Sequence, residues 1–160
     1  MSRWNTGLIL FAVAALAVAG AAFALAPKSD GTDKEGIVWT DFEQGSEYAL
    51  KNDLPVMIYF STKWCGWCRK LERDVYTVPE VVEMSKKFVN IRIDGDQSKE
   101  LTMRYKVRGY PTIIFTDSDS EEVARIPGFA PAAPFLERMK AALEQMGIDT
   151  TRADKEPSDG

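Results

Sequence analysis

The sequence has no histidine and only two cysteines among its 160 residues. Without histidine the chain cannot assemble a Ser-His-Asp or Cys-His nucleophile system, nor a His-ligated zinc or haem site. Basic clusters are also missing. Lysine and arginine number 20 against 24 aspartates and glutamates, a net charge of −4, and no basic run is longer than a pair. That balance argues against nucleic acid as the main partner. No internal repeat and no cofactor-binding motif is visible. The 45% share of hydrophobic residues fits one globular domain with appendages.

Charge is missing altogether from Gly7 to Ala26, a run of 20 residues rich in Ala, Leu and Val. A helix needs about 20 such residues to cross the hydrocarbon core of a bilayer. Residues 1–26 therefore read as an N-terminal membrane anchor or signal peptide. Ala22-Phe23-Ala24-Leu25-Ala26 offers the small-x-small pattern of a cleavage site, but Pro27 disfavours a cut after Ala26. The length of the run favours an uncleaved anchor. Arg3 precedes it, so the remainder is expected on the far side of the membrane.

Residues 27–36 (PKSDGTDKEG) read as a polar linker and 37–146 as the folded domain, followed by a polar tail over 147–160 that is expected to be disordered. Within the domain, Ile37-Val38-Trp39 is a short strand candidate and Asp41–Lys51 a helix weakened by Gly45. Pro55–Ser61 is a continuous apolar run, the pattern of a strand covered on both faces. Helices are expected over Cys65–Tyr76, Pro79–Phe88 and Ser98–Lys106, the last burying Leu101, Met103 and Tyr105. Val89–Asp94, Thr112–Thr116 and Glu122–Ile126 read as strands. Pro134–Met146 is an amphipathic helix with Phe135, Met139, Ala142, Leu143 and Met146 on its apolar face. The order implies an α/β fold, a mixed central sheet with helices on both faces.

The two cysteines, Cys65 and Cys68, are three apart and fall where the buried strand gives way to a helix. The first turn of a helix leaves backbone N–H groups unpartnered and carries positive potential. A thiolate there is stabilised, so its pKa falls below the free value of about 8.5. Lys63, Arg69 and Lys70 add cationic character. The spacing assigns roles: Cys65, at the helix start, faces solvent and attacks a partner disulfide, and Cys68, one turn in, resolves the mixed disulfide. Other readings are a structural staple, half a zinc site, or two buried thiols. A staple closing about four residues is worth only roughly 2 kcal/mol. A structural zinc site wants four ligands, and the chain has two cysteines. Two free thiols sit poorly in an oxidising compartment.

Trp64-Cys65-Gly66-Trp67-Cys68 after the strand Val56–Phe60, with Gly109-Tyr110-Pro111-Thr112 before another strand, resembles the thioredoxin-like family. Over Leu54–Leu143 it is similar to the periplasmic C-terminal domain of the disulfide reductase DsbD and its stand-alone relatives. The resemblance implies a thioredoxin fold, with Cys65 attacking, Cys68 resolving and no metal. Pro111 would be a cis-proline against the pair, shaping a groove for the partner's chain. Glu72, four residues after Cys68, matches a family carboxylate that perturbs the cysteines or moves protons; its structural reading is a surface charge beside Arg69 or Tyr76. Trp64, Gly66, Trp67 and Tyr110 would form the docking surface. One departure stands out: the buried acid that many thioredoxins carry six residues before the first cysteine is Tyr59 here.

The function implied is an exported thiol–disulfide oxidoreductase, favouring reduction, located in a bacterial periplasm and tethered to the inner membrane through residues 7–26. Its partners would be protein thiols and disulfides, those of a membrane-embedded electron relay or a periplasmic client. The rival readings are a Cu(I)-binding or delivery module using the two thiolates, and a non-enzymatic adaptor that only binds polypeptide.

Overall fold

A single strand with apolar residues on both of its faces organises the molecule. In the computed structural model, which describes residues 36–150, β1 (Val56–Ser61) is buried along its whole length. Its side chains alternate between two cores. Met57 and Tyr59 point into one, with both cysteines, Leu71, Val81, Phe115, Phe135 and Met139. Val56, Ile58 and Phe60 point into the other, with Ala49, Ile91, Ile93, Tyr105 and Ile114. The continuous apolar run therefore means what such a run implies, a central strand covered above and below.

The remaining elements complete three layers. They are α1 (Phe42–Asn52), α2 (Gly66–Asp74), α3 (Pro79–Ser85), β2 (Val89–Asp94), α4 (Lys99–Arg104), β3 (Thr112–Thr116), β4 (Glu122–Pro127) and α5 (Ala132–Gln145). The sheet order is β2-β1-β3-β4. β1 and β2 are parallel, whereas β3 is antiparallel to both β1 and β4. Helices α2, α3 and α5 contribute to the first core, and α1 and α4 to the second. This is the thioredoxin fold, an α/β architecture with a mixed central sheet flanked on both faces.

Local chemistry explains the elements. Asp41 caps α1 by accepting the Gln44 N–H at 2.9 Å. Gly45, which lowers helix propensity, is required by close approach: a Cβ there would lie 2.6 Å from Ile91 Cγ1 and 2.7 Å from Thr40 Cγ2. Pro79 starts α3 at the position where a missing N–H costs nothing.

Four expectations need correction. Residues 37–39 do not form a strand; only Thr40 bridges, to Ile91, and Val38 is exposed. The segment lies beyond the edge strand β2, so it gains one side of pairing. Met103 is 72% exposed rather than buried. Helix α4 has only six residues, and its inward side is that of Leu101 and Tyr105, from which Met103 is displaced by about half a turn. Helices α2 and α3 stop at Asp74 and Ser85, short of Tyr76 and Phe88. Gly147 and Ile148 are not tail. Gly147 adopts φ 74°, Ile148 N–H returns to the Leu143 carbonyl at 2.9 Å, and the Ile148 side chain packs on the first core. The proposed anchor 1–26 and residues 151–160 lie outside the described residues. Among the described residues, no helix is long and apolar enough to cross a membrane.

The topology gives the domain two distinct ends. β1 and β2 finish at one pole, and β3 starts there, since Phe60 pairs with Thr112. The Cys65 turn and the Tyr110–Pro111 loop thus arrive together. At the opposite pole a largely apolar cleft of about 430 Å³ is lined by Gly36, Trp39, Tyr48, Leu54, Phe88 and Asn90.

Candidate functional site

After β1 the chain turns at Thr62–Trp64, and Cys65 N–H bonds the Thr62 carbonyl at 3.2 Å. Cys65 is the N-cap of α2. Its Sγ accepts the Cys68 N–H at 3.0 Å, the role that serine or aspartate fills at other helix starts. Cys65 and Cys68 form a disulfide, with Cα atoms 5.2 Å apart. The Cys65 sulfur thus meets a backbone donor at the positive end of a helix, the setting that stabilises a thiolate.

The expectation that Cys65 faces solvent is corrected. Cys65 is 4% exposed and Cys68 1%. The exposed surface is made instead by the neighbouring indoles, Trp64 at 67% and Trp67 at 59%. The cations also divide. Arg69 Nη1 donates to the Lys63 carbonyl at 2.9 Å and stays by the turn. Lys70 is drawn away, paired with Asp74 at 2.5 Å and lying 5.2 Å over the Phe129 ring. That pairing holds the Asp74 carboxyl below the usual carboxylate range.

Glu72 meets neither Arg69 nor Tyr76 in a hydrogen bond. One oxygen, Oε1, accepts from the Tyr59 hydroxyl at 3.0 Å and from Arg92 Nη2 at 2.6 Å. Sheet register makes this possible, since Tyr59 and Arg92 are partners across β1 and β2. Tyr59 is fully buried, and burial, reinforced by the Glu72 charge, pushes its phenol well above the ordinary tyrosine value. The position where many thioredoxins hold a buried acid thus holds a neutral donor locked onto a half-buried carboxylate. Trp39, Tyr59 and Tyr76 pack ring against ring around it, with centroids 5.2–5.5 Å apart.

The Tyr110–Pro111 bond is cis, and Pro111 is buried. Its carbonyl accepts the Gly128 N–H at 2.8 Å. Tyr110 stands edge-on to Trp64, centroids 5.9 Å apart, and Trp64 Nε1 donates to Asp96 Oδ2 at 2.8 Å. Trp67 instead contacts Phe129, at 5.5 Å. Gly95 makes room for the Tyr110 ring: a Cβ would fall 2.2 Å from the phenol oxygen. Gly66 is exposed, and a Cβ there would meet only the Arg69 guanidinium, at 3.9 Å.

The structure therefore brings Trp64, Cys65, Gly66, Trp67, Cys68, Tyr110 and Pro111 to one pole and sets Glu72 behind them on α2. Gly95, Asp96, Arg92 and Phe129 were missed. A glycine and an aspartate after a strand look like an ordinary turn, and only the sheet order shows which loops share an end.

The thioredoxin-like domain family matches residues 42–143. This chain belongs to that family. It is 34% identical over 106 residues to the thiol:disulfide interchange protein DsbD of Vibrio vulnificus, a match covering 62% of this chain and 18% of DsbD. The chain thus spans less than a fifth of that relative's length. It is 25% identical over 121 residues to the disulfide bond reductase DsbH of Chlamydia pneumoniae, covering 66% of this chain and 72% of DsbH. A solution structure of a putative disulphide-isomerase from Bacteroides thetaiotaomicron superposes with a TM-score of 0.60 at 29% identity, covering 71% of this chain and 98% of the other. The chain thus holds a Cys-Gly-Trp-Cys disulfide in a thioredoxin fold, an arrangement consistent with thiol–disulfide oxidoreductase activity.

Proposed function

We propose that the protein is an extracytoplasmic thiol–disulfide reductase, tethered to the inner membrane through residues 7–26. It takes electrons from the dithiol of a membrane-embedded relay and passes them to disulfides of exported client proteins. The observation that carries this reading is the Cys65 sulfur held at the N-cap of α2 by the Cys68 N–H. The likeness to DsbD and to the reductase DsbH supports the direction, and the apolar run ahead of the domain supports the location.

In the reduced protein the Cys65 thiolate attacks the client disulfide. A bond forms from Cys65 to one client sulfur, and the other leaves as a thiolate that takes a proton. Cys68, losing its own proton, then attacks Cys65, closes the internal disulfide and frees the second client thiol. The client gains two electrons and the pair loses two. Because Cys65 is almost enclosed, docking precedes exchange. Trp64 and Trp67 supply apolar contact area, with Gly66 leaving a low profile between them, and Tyr110 and Pro111 form the groove wall. Glu72, fixed by Tyr59 and Arg92, positions the first turns of α2.

The test is a pair of variants. Cys65→Ser should abolish disulfide reduction, whereas Cys68→Ser should accumulate mixed disulfides with clients, visible on non-reducing gels. Full turnover by Cys65→Ser would overturn the reading. Measuring the reduction potential of the pair checks the direction: a value near those of oxidants such as DsbA, at about −120 mV, would refute a reductase.

A further inference from the structure

Beside Pro111 opens a groove of about 580 Å³, lined among others by Lys106, Arg108, Tyr110, Pro111, Arg125 and Gly128. No carboxylate lines it. Arg125 is occupied, paired with Glu122 and donating to the Tyr105 carbonyl at 3.1 Å. Lys106 and Arg108 are exposed, and neither enters an ion pair among the described residues. This is a local reversal of sign, because the whole chain carries −4. Lys106 also has φ 52°, in the left-handed region where glycine is the low-cost residue. A cationic side chain thus occupies a turn position that local backbone preference would give to glycine.

The groove is continuous with the redox pole. Tyr110 lines it and touches Trp64, the neighbour of Cys65, while Pro111 is its floor. A partner strand seated against Pro111 would run past two unpaired cations. We propose that this groove receives an acidic side chain of the partner, so that the preferred substrate is a disulfide whose cysteine is flanked closely by Asp or Glu. The inference rests on the exchange reaction proposed above and adds the class of substrate. Lys106 and Arg108 are its specificity determinants, acting by charge complementarity in a groove that the protein's own carboxylates do not fill.

The test uses the reduced full-length chain and three short peptides. Each has one cysteine in mixed disulfide with 2-nitro-5-thiobenzoate, flanked on both sides by Glu, Gln or Lys. Attack by Cys65 releases the coloured thiolate and leaves the peptide bonded to Cys65, from which Cys68 displaces it. At low salt the Glu peptide should react about tenfold faster than the Lys peptide, despite the protein's net negative charge. The ratio should shrink in 0.5 M salt, where screening lengths fall to a few ångströms. The double variant Lys106→Glu/Arg108→Glu should reverse the order of the Glu and Lys peptides, and Lys106→Gln/Arg108→Gln should erase it. Equal rates for all three peptides, or an unchanged ratio in both variants, would overturn the specificity and leave the exchange reaction standing. Release from none of the peptides would remove the reaction itself, and this inference with it.

Discussion

The two faces of the sheet are packed by different chemistry. Under α1 and α4 the core is mainly aliphatic, built on Val56, Ile58, Ile91, Ile93 and Ile114 with Phe60 and Tyr105. Under α2, α3 and α5 it contains the disulfide, Tyr59 and Tyr76. One strand feeds both, so the difference comes from alternate residues of the same six. The mainly aliphatic face supplies burial with no cysteine in it, and its phenol, that of Tyr105, is pushed up by burial. Among the described residues the other face holds every buried sulfur and, one turn along α2 from Cys68, the phenol–carboxylate–guanidinium contact.

Substitutions can break that contrast. The largest effect is expected from Ile58→Ala, which deletes a fully buried side chain of the aliphatic face. It should cost about 2–5 kcal/mol in urea unfolding and leave the exchange rate per folded molecule unchanged. A matched loss of exchange would deny that the faces are separable. Next is Gly45→Ala on the same face. Its Cβ must push against Ile91 and Thr40, and about 1–3 kcal/mol should be lost despite the better helix propensity of alanine.

Tyr59→Phe probes the other face, with an expected loss of about 0.5–1.5 kcal/mol for one hydrogen bond. Its sharper signature is in alkali. The native phenol titrates above its ordinary 10.0, so the folded state keeps a proton that the unfolded chain releases. Stability from this group is complete below pH 10.0 and falls as pH rises above that value. Tyr59→Phe should make the alkaline decline shallower, measured by unfolding between pH 9 and 11. An unchanged slope would mean that Tyr59 is not held as described. The smallest effect should come from Gly66→Ala. With no near neighbour for the new methyl, thermal stability should rise by at most about 1 kcal/mol. A marked loss would mean that the cysteine turn needs glycine for its backbone.

Much of this was legible in the sequence because burial leaves periodic traces. The unbroken run from Val56 predicted a central strand, and Phe135, Met139, Ala142 and Leu143 predicted the inward side of α5, all four buried. The redox pair and the proline loop were legible from spacing and from the family resemblance. The contacts of Glu72 were not, because its partners lie 13 and 20 residues away and meet it only through strand register. Nor was the enclosure of Cys65 visible. A position at a helix start says where a backbone amide points, not how much of the sulfur the fold covers.

Gly36 lines the cleft at the end of the strands opposite the disulfide. The described chain therefore enters the domain at the heel of the sheet. The six residues of β1 separate that end of the sheet from the disulfide's end by roughly 20 Å. Anything that docks at the sulfurs therefore meets the domain at its tip, clear of the point where the described chain enters.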